Sequence, residues 1–307
     1  MIVRRDIPWH FILRFSGKNL LYYLLLSIAV WVSYEIAFVK EVAITFLPVA
    51  TLSTALAIFL SFRNNSAYDR WWEARKIWGL AVNYSRAWAR QVTTFIVLPE
   101  DTTQLNGFSR KDFHQKLVYR HIAFIHALRI FLRKQDDYSD IRELVSEREY
   151  AQVCQADNPP NVLLQKQSES IAWALKKGLI NAYQQIQLDQ TLVEFNNIQG
   201  RCERIKNTPM PRQYNYFPRI FVFIHNSLLP FGFIALLGWV TIPMSLLVSF
   251  IFLTLDLVGA DIEDPFENRL SDTPMTALSV TIEGNLKEQL KETDLPEKLV
   301  PEDGFLL

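Results

Sequence analysis

The chain has 307 residues and no formal net charge at neutral pH; half of its residues are hydrophobic and 21% are charged. A chain lying wholly within a bilayer would carry fewer charges, whereas a soluble domain rarely contains several uncharged stretches of about 20 residues. The composition therefore predicts a protein that lies partly in a membrane and partly in water. The zero net charge argues against nucleic acid as a partner.

Two apolar stretches near the N-terminus are each long enough to cross a bilayer as a helix. The first covers residues 20–39 and is interrupted by Glu35, and the second covers residues 42–62. About 20 helical residues span the hydrocarbon layer. Because only Lys40 and Glu41 separate the two stretches, they are predicted to form a transmembrane hairpin.

The second stretch ends abruptly at Phe62, and the sequence RNNSAYDRWWEAR follows at once. Arg and Trp at such a boundary are typical of a membrane interface. Apolar residues then recur at three- and four-residue steps in residues 66–98, 110–133 and 162–206. Strand-like alternation is not sustained anywhere, so this long polar region is predicted to be helical.

Residues 220–255 contain no Asp, Glu, Lys or Arg. This stretch is too long for one span and fits two, with a turn near Gly238 and Pro243. Basic residues cluster beside the other ends of the spans, whereas this turn carries no charge. The positive-inside rule therefore places both termini and the polar region in the cytoplasm.

The predicted fold class is all-α, with four transmembrane helices in the cell (inner or plasma) membrane and a long cytoplasmic helical domain. Residues 1–18 are predicted to form a cytoplasmic N-terminal segment, 19–63 a transmembrane hairpin, 64–215 a cytoplasmic helical domain and 216–258 a second transmembrane hairpin. Residues 259–292 are predicted to form a cytoplasmic C-terminal segment with a helix, and 293–307 a loose tail. The sequence lacks HExxH, GxSxG and Walker motifs, so an enzyme is not expected.

Three motifs make the chain resemble the bacterial branch of the bestrophin ion-channel family. They are FRNNSAYDRWWEARKIWG after the second stretch, IQGRCERIKNTPMP before the third, and IEDPFEN after the fourth. The resemblance implies a homopentamer with a pore along its five-fold axis, whose partners are the lipid bilayer, further copies of the chain and permeating monovalent ions. It leaves open whether chloride and other anions or monovalent cations pass. The alternative is a membrane-embedded enzyme or a receptor-like scaffold without conductance.

The resemblance also implies which residues narrow the pore. In the family, three residues of the second span at i, i+4 and i+8 line a hydrophobic neck, and here these are Thr54, Ile58 and Phe62. A branched aliphatic residue is common at the first position, so Thr54 is expected to make the outer ring wetter. A lower constriction is implied around residues 179–182, with Ile180 as the best candidate.

Polar and aromatic residues after the neck are expected to form its base and a collar that sets subunit packing. They are Arg63, Asn64, Asn65, Tyr68, Asp69, Arg70, Trp71, Trp72 and Glu73. Most of them are expected to be structural, and Arg63 is the best candidate within the set to face the conduction path. Arg70 is expected to pair with one of the neighbouring acids, Asp69 or Glu73.

No cofactor or metal is expected. Animal members of the family bind calcium through a run of acids after a Pro-Phe pair, but here the pair is followed by ENRLSD, with Arg269 in place of an acid. The candidate calcium ligands would be Asp261, Glu263 and Asp264. We expect these carboxylates to pair instead with basic residues of a neighbouring subunit.

The histidines are also expected to be structural. His114, His121 and His126 lie on one predicted helix, but their spacing does not bring them together around one ion, so packed or surface positions are expected. His225 lies in the third span and is expected to hydrogen-bond within the helical bundle.

Overall fold

The computed structural model describes Met1 and residues 9–97, 110–301 and 304–305. These residues form helices and no β-strand, which confirms the all-α fold class. Residues 2–8, within the predicted N-terminal segment, lie outside the described residues. The α-helices are α1 (Trp9–Trp31), α2 (Phe46–Phe95), α3 (Arg110–Leu132), α4 (Glu147–Cys154), α5 (Pro159–Lys176), α6 (Ala182–Asn207), α7 (Gln213–Leu237), α8 (Thr241–Ile262) and α9 (Met275–Gln289).

Three helical stretches in the described part of the chain are long and apolar enough to cross a membrane: Gly17–Ile36, Lys40–Phe95 and Gln213–Ile262. The third stretch contains both α7 and α8, which are separated by a 3₁₀ turn, Gly238–Val240. Gly238 has a φ of +54°, a left-handed conformation that glycine adopts without steric penalty. The turn therefore occurs where the sequence predicts it.

The described chain divides into two compact units, and α2 contributes to both. The apolar unit comprises the described residues within 4–71 and 209–264, and the polar unit comprises Met1 and the described residues within 72–208 and 265–307. The division within α2 thus falls after Trp71, whereas the sequence suggests a domain boundary after Arg63. The later boundary follows from side-chain contacts that residues 63–70 make with α8 and the segment after it, described below.

The apolar unit is a bundle of α1, the first part of α2, α7 and α8. Its buried cluster consists of Leu56 and Leu60 from α2, Val222 from α7 and Phe252 from α8. Leu56 and Leu60 are one helical turn apart, so they face the same neighbours. Lipid tails are as apolar as these side chains, so van der Waals packing and hydrogen bonds hold such a bundle together in a membrane.

A hydrogen-bonded group inside the apolar unit confirms the expected role of His225. Its Nε2 lies 2.6 Å from Ser53 Oγ, and its Nδ1 lies 3.0 Å from Asn226 Oδ1. Both ring nitrogens of His225 therefore have partners, and the imidazole links α2 to α7. Asn226 in turn donates from Nδ2 to the Ser249 carbonyl oxygen of α8 at 3.5 Å.

The polar unit is built around aromatic side chains that the sequence places at helical spacing. Trp78 and Trp88 of α2 are fully buried, and Trp88 lies beside Phe195 of α6 and His121 of α3. The rings of His121 and Phe195 have centroids 4.2 Å apart, and His121 Nε2 lies 2.8 Å from Ser85 Oγ. Burial lowers the pKa of His121 to about 3, so this imidazole is neutral at physiological pH.

The other two histidines of α3 also have structural partners, as expected. His114 Nε2 lies 3.0 Å from the Ile96 carbonyl oxygen, and His126 Nε2 lies 2.9 Å from Glu283 Oε2. Lys287 pairs with the same carboxylate at 2.8 Å. Burial raises the pKa of Glu283, but hydrogen bonds from His126 and Lys287 outweigh it and lower the pKa to about 2.

A tight turn interrupts the helical pattern that the sequence shows across residues 162–206. Gly178 has a φ of +68°, which ends α5 in the manner of a left-handed C-terminal glycine. Asn181 Oδ1 accepts from the Gln184 amide, and Gln184 Oε1 accepts from the Asn181 amide, both at 2.9 Å. This capping box starts α6, so residues 177–181 form a turn with well-defined ends.

Candidate conduction pathway

The three predicted neck residues lie on one exposed face of α2. Thr54, Ile58 and Phe62 are all exposed in the protomer, Ile58 by 54% and Phe62 by 66%. Leu56 and Leu60, which alternate with them along the helix, are buried in the bundle. The 3.6-residue helical period separates the two sets. Helix α2 therefore presents a stripe of exposed side chains, Thr54, Ile58 and Phe62, on the side that faces away from its own protomer.

Thr54, at one end of the stripe, uses its hydroxyl within the helix. Thr54 Oγ1 donates to the Ala50 carbonyl oxygen at 3.1 Å. A hydroxyl oxygen retains acceptor capacity after donating its proton. The Thr54 hydroxyl oxygen is thus able to accept a hydrogen bond from water, whereas the side chains of Ile58 and Phe62 carry no polar atom.

Arg63, the best candidate of the collar for facing the conduction path, is buried inside the protomer. Its side chain is 1% exposed, and its Nη1 donates to Asp256 Oδ1 of α8. One residue along a helix rotates the side chain by about 100°, so Arg63 follows the buried face of Leu60 rather than the exposed face of Phe62. The Arg63 side chain is thus paired inside the protomer.

A close contact between α2 and α8 adjoins this ion pair. Asn64 Nδ2 donates to the Leu255 carbonyl oxygen at 2.9 Å. A Cβ atom at Gly259 would overlap Asn64 Oδ1, so the absence of a side chain at this position allows α8 to lie against the Asn64 amide. The next residue, Asn65, is exposed.

Arg70 binds the segment after α8 rather than the acids beside it, which corrects the predicted pairing. Arg70 Nε donates to the Glu263 carbonyl oxygen at 2.8 Å, and Arg70 Nη2 lies 3.8 Å from Asp264 Oδ1. Asp69 is exposed. Glu73 accepts from Arg204 Nη2 at 2.7 Å.

The aromatic residues of the collar lie partly at the surface of the protomer. Tyr68 and Trp71 stack with ring centroids 6.1 Å apart. Tyr68 and Trp72 are each about half exposed. Such amphipathic rings suit a membrane interface or a contact between subunits.

Two carboxylates of the acidic segment that ends α8 and follows it have partners in the same chain. Glu263 Oε2 accepts from Asn215 Nδ2 at 2.6 Å, while Asp264 faces Arg70 as described above. In the described residues no group of three or more His, Cys, Asp or Glu side chains is arranged to hold a metal ion. Asp261, the third candidate calcium ligand, is partly buried.

Ion pairs connect the three sequence motifs in a way that the sequence alone did not reveal. Glu73 of the first motif pairs with Arg204 of the second at 2.7 Å, and Lys206 of the second pairs with Glu267 of the third at 2.6 Å. Opposite charges in separate motifs were the available signal, but their pairing depends on the fold. The motifs therefore act as one connected set within the protomer.

Ile180, the candidate for the lower constriction, lies at the turn between α5 and α6. Its side chain is 5% exposed and belongs to the hydrophobic core of the polar unit. The Leu179 carbonyl oxygen accepts from the Val97 amide at 3.1 Å, which fixes the turn to the end of α2. Asn181 and Ala182, which follow, are exposed.

The chain is similar to known proteins over most of its length. Residues 13–288 match the family described as Bacterial/Fungal Bestrophin protein. "Voltage-dependent anion channel-forming protein YneE" of Escherichia coli (strain K12) is 32% identical over 311 residues, covering 99% of this chain and 97% of the relative. "Voltage-dependent anion channel-forming protein mll4386" of Mesorhizobium japonicum is 33% identical over 258 residues, covering 84% and 79%.

Similarity to a solved structure agrees with the sequence comparison. A crystal structure of a bacterial bestrophin homologue from Klebsiella pneumoniae matches with a TM-score of 0.81 and 30% identity, covering 90% of this chain and 98% of the other. The family predicted from the three motifs is thereby confirmed. This chain belongs to the bacterial and fungal bestrophin family.

Proposed function

We propose that this chain forms a homopentameric ion channel whose neck is lined by Thr54, Ile58 and Phe62. The observation that carries the proposal is the exposure of Ile58 and Phe62 on a helix whose other face is packed. Contiguous exposed apolar side chains mark a surface that some partner covers. In a five-fold assembly this stripe would line the axis, where each residue forms a ring.

The apolar character of the rings suits a gate. A narrow pore lined by apolar side chains tends to lose its water, and ions do not cross a dewetted constriction. The ring at Thr54 would remain wetter because its hydroxyl oxygen accepts hydrogen bonds. The proposed barrier therefore lies at Ile58 and Phe62.

The proposed location is a cell membrane, which α1, the first part of α2, α7 and α8 would cross. The basic residues near these spans favour cytoplasmic termini. The proposed partners are the lipid bilayer, further copies of this chain and small monovalent ions. We place the lower constriction at the turn Leu179–Ala182, to which the exposed Asn181 and Ala182 contribute, rather than at the buried Ile180 side chain.

The neck supplies no formal charge with which to choose between anions and cations. Its residues are neutral, and Arg63 is neutralised by Asp256 within the protomer. The two relatives described above are named for anion channels, which favours anions as the permeant ions of this chain. Their names refer to channel formation and to no enzymatic activity, which supports a channel over the alternative of a membrane-embedded enzyme.

Reconstitution of the purified chain in planar bilayers under asymmetric KCl tests this function. We expect ionic current from protein that light scattering identifies as a pentamer. The reversal potential should be shifted from zero towards the chloride equilibrium potential. Bilayers with detergent alone serve as the control. Absence of current from intact pentamers would contradict channel function. A reversal potential shifted towards the potassium equilibrium potential would contradict the anion preference alone.

A further inference from the structure

Asp69 lies on the same face of α2 as the proposed neck. It follows Phe62 by seven residues. Each residue of an α-helix rotates the side-chain direction by about 100°, so seven residues bring it to about 20° short of two full turns. The rise of 1.5 Å per residue places Asp69 about 10 Å beyond Phe62 along the helix. Asn65, between them on this face, is exposed as well. The apolar stripe is therefore continued by polar side chains.

The other charged residues of this part of the chain already have partners. Arg63 is buried against Asp256, and Arg70 binds the Glu263 carbonyl oxygen and Asp264. Asp69 is exposed and has no ion-pair partner in the described part of the chain. Its charge is thus the first after the proposed neck that has no ion-pair partner among the described residues.

We infer that Asp69 forms a ring of carboxylates at the inner end of the neck and biases permeation towards cations. The inference rests on the proposed pentameric pore, in which five copies of this face surround the axis. Rings of Asp or Glu side chains attract cations and repel anions in channels. The distance of about 10 Å to the Phe62 ring is comparable to the Debye length in physiological salt, so ions entering the neck would experience the field.

The Asp69 ring contributes to the ion selectivity of the channel and does not determine it alone. Whichever ion the wild-type channel prefers, removal of five negative charges lowers the local cation concentration and raises that of anions. Asp69→Asn removes the charge and keeps the size of the side chain. Asp69→Glu keeps the charge and moves it by one methylene group.

Reversal potentials under asymmetric KCl test the inference with the purified full-length protein. We expect Asp69→Asn to lower the potassium-to-chloride permeability ratio about threefold or more, while Asp69→Glu stays close to wild type. Glu143→Gln is the matched control, because it neutralises an exposed carboxylate outside α2; we expect no shift.

The outcomes separate this inference from the proposed channel function. Absence of current from the wild type would contradict the channel itself. Wild-type current with an unchanged reversal potential in Asp69→Asn would overturn the role of Asp69 alone, as would an equal shift in Glu143→Gln. Loss of pentamers with an unchanged reversal potential in the remaining channels would instead assign Asp69 to a contact between subunits.

Discussion

Replacing Phe62 or Ile58 with alanine is expected to increase the open probability of the channel strongly. Both side chains are more than half exposed on the stripe of α2 that we propose as the neck. Truncation to alanine widens each ring and removes apolar surface, so water re-enters the constriction and the barrier to ions falls. Single-channel recording in planar bilayers measures the open probability directly.

A matched control separates a neck residue from any exposed apolar residue of the apolar unit. Leu247 of α8 is 53% exposed, almost the same fraction as Ile58 at 54%. We expect Leu247→Ala to leave the open probability unchanged while Ile58→Ala raises it. Equal open probabilities for Phe62→Ala, Ile58→Ala and wild type would remove the assignment of this stripe to the neck.

Breaking the buried ion pair between Arg63 and Asp256 is expected to destabilise the protein. Arg63→Gln leaves the Asp256 carboxylate without its cation, and Asp256→Asn leaves the guanidinium in an apolar bundle. Loss of one partner of a buried pair costs about 3–5 kcal/mol. We therefore expect either variant to lower the midpoint of thermal unfolding in detergent. Size-exclusion chromatography of heated samples measures this midpoint.

Two further variants identify the cause of this loss. The double variant Arg63→Met, Asp256→Leu removes both charges, and replacement of a buried pair by apolar residues is often neutral or stabilising; we expect recovery towards wild type. Glu169→Gln breaks an exposed pair, Lys166–Glu169 at 2.9 Å, and should cost less than about 1 kcal/mol. A double variant as unstable as the single ones would contradict a mainly electrostatic role.

Apolar stretches and motifs were sufficient to predict the all-helical fold and the family. The uncharged runs specify helices of membrane-spanning length, and the turn glycine at Gly238 is evident in the sequence. The break between α5 and α6 was missed, although Gly178 and the Asn181–Gln184 capping box are its local signals. A helical period that resumes after a short turn masks such a break.

The partners of the charged collar could not be predicted from local sequence. Arg63 pairs with a residue 193 positions away, and Arg70 binds a carbonyl oxygen at the same separation. Pairing along one helix, as predicted for Arg70, considers only residues within about one helical turn. Because α8 lies against this part of α2, the longer-range partners are favoured, and only the fold shows that contact.

The proposal that Thr54, Ile58 and Phe62 line the pore is tested most directly by chemical modification of cysteines introduced at these positions. Cys154 is exposed and Cys202 is buried, so Cys154→Ser gives a suitable background. A charged methanethiosulfonate reagent reacts with thiols that water reaches. The measured quantity is the bilayer current before and after the reagent is added and washed out.

We expect the current to change irreversibly in Thr54→Cys, Ile58→Cys and Phe62→Cys. The controls are Leu60→Cys, on the buried face of the same helix, and Leu247→Cys, exposed on α8; their currents should not respond. Unaltered current in all three stripe variants, together with a response in Leu247→Cys, would contradict the proposed pore lining.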